Sequence, residues 1–174
     1  MLGENRVQTI GTDVDEHEAG RVYVEGIIAG IIGAAVLAVW FFILDTLHGL
    51  PLYTPTILGS ALFRSNHAPS EFHDLAVSIE MTIMYTWVHV LVFGVVGVIA
   101  SRLLAFAEEN PNFGFAILLL FVFFEFGFVG AAFLFAEPLL GLIAWHTALM
   151  GNLLAAVGMG GYLWYHHRNL PISP

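Results

Sequence analysis

The sequence predicts an all-α fold: a four-transmembrane-helix antiparallel bundle, with a short interfacial helix in the outer loop between helices 1 and 2. Three observations predict it. The 174 residues are 58% hydrophobic and only 11% charged, with a mean hydropathy of +0.82. A soluble domain carries about 25% charged residues, so the solvent for this chain is expected to be lipid. Four apolar runs stand out, over 22–47, 77–104, 113–135 and 139–164, each near the roughly 20 residues that cross a bilayer as a helix. None alternates apolar and polar residues at period two, which excludes lipid-spanning strands and leaves helices. The expected organisation is an acidic cytoplasmic N-terminal segment (1–21), one transmembrane domain (22–166) and a short cytoplasmic tail (167–174).

The first run follows the acidic stretch "GTDVDEHEAGR". A secretory signal has a basic start and a shorter apolar core, so this N-terminus is expected to be retained. Between runs one and two lies "HGLPLYTPTILGSALFRSNHAPSEFHD". Thr54 is a candidate cap for a short helix with Pro55 at its first position, carrying Ile57, Leu58, Ala61, Leu62 and Phe63. That helix is too short to span and is expected at the interface. Ser70 is a candidate cap for the second long helix, with Glu71 and Asp74 favouring its dipole. "EENPNFG" and "AEPLLG" are tight turns, with Asn112 a candidate cap for the third helix and Pro138 suited to the start of the fourth. Such short links make neighbours antiparallel.

All five basic residues are arginines, and the formal charge is -9. Nucleic-acid binding and a polybasic grip on anionic lipid are therefore not expected. The absence of cysteine excludes disulfides, Cys-zinc sites, iron–sulfur clusters and Cys-attached haem. Arg6, Arg21, Arg102 and Arg168 fall on one side of the four runs and Arg64 on the other. The positive-inside rule then puts both termini in the cytoplasm and the long loop outside. Trp40, Tyr53, Trp87, Tyr162, Trp164 and Tyr165 partly mark the interfaces, although Trp87 sits deeper than a belt residue.

Lipid gives helices no hydrophobic drive to associate, so small residues mark their contacts. Gly26, Gly30 and Ala34 recur at four-residue spacing in helix 1, with Gly33 beside them. Helix 2 has Gly94, Gly97 and Ser101. Helix 4 carries Ala148, Asn152, Ala155 and Ala156 near one face. Helix 3 has phenylalanines instead.

Ionisable residues inside a membrane are functional candidates. Glu125 lies in "LLLFVFFEFGFVG", roughly 15–18 Å from the outer end of its helix at 1.5 Å per residue. His89 lies roughly 18 Å from the outer end of the adjacent helix, which makes His89 and Glu125 a candidate buried polar pair. His89 ends a polar stripe of Ser78, Thr82 and Tyr85 or Thr86. Thr82, Tyr85, His146 and Asn152 form a candidate secondary network. His89 and His146 are candidate axial ligands of a b-type haem, although they differ in depth by roughly 6 Å. Asp45 and His48, three apart on one face, are candidate metal ligands. The loop's "HAPSEFHD" has ligand types too, but reads mainly as a solvated helix start. No Glu-x-x-His pair or H-E-x-x-H motif occurs, against a di-iron bundle or a zinc protease.

Three functions compete: a structural bundle within a larger membrane complex, a haem- or metal-binding electron-transfer subunit, and a proton or small-solute pathway. The stretches "PLYTPTILGSALF", "YTWVHVLVFGVVG", "LLLFVFFEFGF" and "GNLLAAVGMGGYLW" together resemble a group of small, uncharacterised four-helix bacterial membrane proteins. The resemblance runs from about Val24 to Trp164, and "PLYTPTILGSALF" is its most specific piece. It implies the four-helix fold and a bacterial inner membrane, includes His89 and Glu125 in its pattern, and supplies no activity. The expectation is a non-enzymatic accessory or scaffold subunit of a respiratory or photosynthetic type of membrane complex, partnered by lipid and other membrane subunits.

Overall fold

The computed structural model describes residues 4–64, 76–109 and 145–166, and the side chains of 20–64, 76–106 and 146–166. The described residues form four helices and no strand: α1 (Glu4–Leu47), α2 (Tyr53–Phe63), α3 (Ile79–Glu109) and α4 (Trp145–His166). Glu125, Asn112 and Pro138 lie outside the described residues, so the third apolar run and the His89–Glu125 pair do too.

α1 is longer than its apolar run. Its 44 residues are continuous through the acidic stretch, a length of about 66 Å at 1.5 Å per residue. No proline interrupts the chain before Pro51, and Gly11 and Gly20 alone do not break a helix. Within α1 the stretch Gly20–Leu47 has a mean hydropathy of 2.8, and within α3 the stretch Ile79–Phe106 has 2.1. These two helices are long and apolar enough to cross a membrane. Only 22% and 11% of their most apolar windows are buried, whereas the core helix of a soluble protein hides its apolar side chains.

α1 runs antiparallel to both α3 and α4. Along α3 the register is constant: Ser101 Oγ donates to Val22 O at 2.9 Å, Gly97 lies on Gly26, Phe93 on Gly30, and His89 reaches Ala34 O. Each step of four forward on α1 is thus a step of four back on α3. A Cβ placed on Gly26 would lie 2.6 Å from Val98 Cα, and one on Gly30 or Gly97 would collide with backbone of the facing helix. The absence of side chains lets the two backbones touch, which is how helices gain dispersion energy in lipid. Gly94 differs from its neighbours. A Cβ there meets nothing, so Gly94→Ala should leave the thermal unfolding midpoint unchanged.

On its other flank α1 meets α4. Gly33 faces Met159, and Gly151 faces Leu37 and Trp40. The Trp40 indole N–H donates to Thr147 O at 3.0 Å. Trp40 is therefore an interhelical anchor, half-buried between two helices. Trp40→Phe should weaken the α1–α4 contact by about 1 kcal/mol, the usual worth of one hydrogen bond, read from the unfolding midpoint.

The entry to α3 also differs from expectation. Residues 76–78 are not helical and α3 begins at Ile79, so its cap is not Ser70. Ser78 takes that place: its Oγ accepts from Met81 N at 3.4 Å, its carbonyl accepts the first helical bond from Thr82 N at 3.0 Å, and Glu80 sits in the first turn.

Candidate functional site

The most closely knit polar structure lies where α1, α2 and α3 meet, and it starts with a turn. α1 ends at Leu47, with Gly49 in the left-handed conformation at φ 79°. Leu50 N–H donates to Asp45 O and Gly49 N–H to Thr46 O, each at 3.0 Å. This crossed pair satisfies the last carbonyls of α1 and needs glycine at the left-handed position. Pro51 follows and prevents continuation of the helix. Leu52 is also left-handed, at φ 68°, a conformation that costs a branched side chain about 1–2 kcal/mol.

The turn brings α2 back against the residue that caps it. Asp45 Oδ2 accepts from Thr54 N–H at 2.8 Å, and Oδ1 accepts from Thr54 Oγ1 at 2.7 Å. Asp45 is only 7% exposed. Its carboxylate satisfies one of the unpaired N–H groups of α2 and sits at the positive end of that helix. Thr54 therefore does not cap α2 with its own side chain. The cap position is Leu52, which contributes no side-chain bond, and the carboxylate arrives from α1.

Thr56 then joins α2 to α3. It is fully buried. Its hydroxyl lies 2.8 Å from Leu52 O, accepts from Ser78 N–H at 3.2 Å and lies 3.2 Å from Thr82 Oγ1. Thr82 in turn donates to Ser78 O at 2.9 Å. One hydroxyl thus serves the starts of two helices, α2 at Leu52 and α3 at Ser78. Thr56→Val keeps the shape and leaves Ser78 N–H unpaired; the expected cost is about 1–3 kcal/mol, measurable by thermal unfolding. Beside it Ile57 is fully buried, and Gly59 packs on the Met81 carbonyl with no room for a Cβ. At the rim Arg64 pairs with Glu80 at 3.7 Å. "PLYTPTILGSALF" is accordingly packed on both long helices, with Thr54, Thr56, Ile57, Gly59 and Ser60 buried.

Deeper along α3, His89 Nε2 lies 3.3 Å from Ala34 O. A carbonyl oxygen only accepts, so this nitrogen carries the proton. The ring is stacked on Tyr85 at 5.6 Å and tilted against Phe93 at 4.7 Å. Beside it a cavity of about 110 Å³, open on one side, is lined by α1, α2 and α3. Its α3 wall carries Thr82, Tyr85, Thr86 and His89, and its α1 and α2 walls are mostly apolar.

The other sequence candidates are more scattered. His146 is exposed at the start of α4, next to Thr147, which is level with Trp40, while His89 is level with Ala34. Six residues of α1 separate those levels, about 9 Å, and the two histidines meet α1 from different helices. Asn152 is half-buried on α4. His48 is exposed and its Nδ1 lies 2.7 Å from Leu44 O, while Asp45 turns to Thr54. No group of three or more His, Asp or Glu that could hold a metal occurs among the described residues. At the opposite end of the bundle the Arg102 guanidinium lies 4.2 Å above the Tyr23 ring, and Arg21 pairs with Glu25 at 3.4 Å.

No known protein family, curated protein or solved structure matches this chain.

Proposed function

We propose that the protein is a multi-pass, non-enzymatic membrane protein of a bacterial inner membrane, acting as an accessory or scaffold subunit of a larger membrane assembly. The observation that carries this reading is the contrast between its two kinds of surface. Helix seams are tight to backbone contact at Gly26, Gly30 and Gly97. The outward faces leave large apolar side chains uncovered on all three long helices, from Val39 (57%) to Trp87 (69%) and Val157 (65%). Such faces suit lipid and other apolar helices, and the polar groups are used mainly to fasten the helices to each other.

A four-crossing topology belongs to the same reading. α3 ends toward the end where α1 begins, and α4 begins toward the end where α1 finishes. The intervening sequence contains the apolar run 113–135, the right length for a third crossing. Arg21 and Arg102 lie at one end and Arg64 at the other; by the positive-inside rule this distribution supports a cytoplasmic first end, with both termini on that side.

Because the chain has no cysteine, single-cysteine labelling tests this directly. Gly20→Cys and Asn110→Cys should react only from the cytoplasmic side, and Leu50→Cys and Glu137→Cys only from the other. Labelling of Gly20→Cys and Glu137→Cys from the same side would refute four crossings. Purification in mild detergent should recover other membrane subunits, identified by mass spectrometry. A protein that runs alone would overturn the accessory role. A Soret band lost in His89→Ala would replace it with the electron-transfer reading.

A further inference from the structure

The cavity beside His89 has a polarity that selects a ligand. Most of its lining is apolar: Leu37, Phe41, Phe42 and Leu58 are among the side chains that α1 and α2 contribute. The polar groups are concentrated on α3, and most of their donors are already committed. Thr54 Oγ1 donates to Asp45 at 2.7 Å, Thr86 Oγ1 to Thr82 O at 2.7 Å, and Thr82 Oγ1 to Ser78 O at 2.9 Å.

Two groups are left over. The Tyr85 phenol finds no hydrogen-bond partner among the described residues, although its ring is stacked against His89. His89 uses Nε2–H on Ala34 O, so Nδ1 is left as an acceptor, and it too has no hydrogen-bond partner among the described residues. A phenol O–H and an imidazole Nδ1 on successive turns of one helix offer one donor and one acceptor. Polar groups in apolar surroundings are expensive to leave unmade. A hydroxyl is the group that completes both at once, accepting from Tyr85 and donating to His89.

Size limits what carries that hydroxyl. The cavity is about 110 Å³; an engineered apolar cavity of about 150 Å³ takes one benzene ring. A single ring therefore fits once it uses the open side, and a fused ring system does not. Phe42, in the lining, is 48% exposed, so a ring seated on α3 has a way out toward the outer face of the bundle for any substituent. We propose that this cavity binds the hydroxyl-bearing ring of a lipid-soluble phenol or hydroquinone, hydrogen-bonded by Tyr85 and His89.

The test uses the full chain in lipid nanodiscs with ¹⁵N-labelled histidine, titrated with phenol and, separately, with toluene, which replaces the hydroxyl by a methyl group. The His89 resonances are assigned by their loss in His89→Gln. Phenol should shift the His89 Nδ1 resonance saturably, and toluene should not. Tyr85→Phe should weaken phenol binding by about tenfold, the effect of one hydrogen bond. Leu58→Trp, which fills the cavity from α2 without touching the polar wall, should abolish the saturable shift. Equal responses to phenol and toluene, or a phenol response unchanged in Tyr85→Phe, would mean partition into the bilayer and would overturn the proposal.

Discussion

Gly97→Ala is expected to separate α1 from α3 and lower the stability of the purified protein by about 3 kcal/mol, the upper range for forcing a methyl group into a packed seam. The reason lies in what the new Cβ meets. At Gly97 its neighbours are the Gly26 carbonyl and the Gly30 backbone. A side chain in the way could rotate; backbone atoms of a helix cannot, so the whole of α3 would have to move out along the Gly26–Ala34 line. The loss of approach would also pull Ser101 from Val22 O and His89 from Ala34 O, which lie on the same seam. The control is Gly160→Ala, where the added methyl meets nothing. Equal unfolding midpoints for the two variants would refute backbone contact as the basis of the α1–α3 seam.

Asp45→Ala is expected to be the second severe change, at about 2 kcal/mol or more. It leaves the Thr54 N–H and hydroxyl unpaired in a buried place, and each orphaned group costs about 1–3 kcal/mol. It also removes a negative charge from the start of α2, worth a further 0.3–1 kcal/mol or so. Asp45→Asn separates the contributions. The amide keeps one accepting oxygen, so it should lose roughly half as much. Amide hydrogen exchange at Thr54 reads the effect locally. Protection there should fall sharply in Asp45→Ala and partly in Asp45→Asn, while protection in the middle of α1 is retained. Unchanged Thr54 protection in Asp45→Ala would mean that the carboxylate does not hold α2.

The helical class was legible because apolar runs without period-two alternation have one solution in lipid. The site was less legible, and the reasons are specific. A cap is usually sought within a few residues of the helix it serves, so Thr54 was read as capping itself. The carboxylate that serves it comes from another helix, nine residues earlier. A signal was present: Gly49 followed by Pro51 marks a helix end and a reversal, and the reversal is what turns Asp45 toward α2. Ser78 was read as part of a polar stripe inside a helix. Its place one residue before Ile79, with Glu80 just after, fits a cap equally well, and periodicity alone does not choose between a stripe and a boundary. Residue type marks Trp40 for the interface, and nothing in its spacing shows that its indole N–H reaches the Thr147 carbonyl on α4. Small-residue spacing singles out Gly94 with Gly97, yet only Gly97 has backbone of the other helix where a Cβ would be.

The sequence separations in the α2 junction carry a consequence for biogenesis. Asp45 and Thr54 are nine residues apart, and Thr56 and Ser78 twenty-two. Short loops close at the least entropic cost. The first contact is therefore available as soon as the turn leaves the ribosome, before α3 has emerged. The second forms only once Ser78 has emerged, and α3 then meets a surface already assembled. Synthesis in this order makes the α1–α2 pair a template on which the next helix docks.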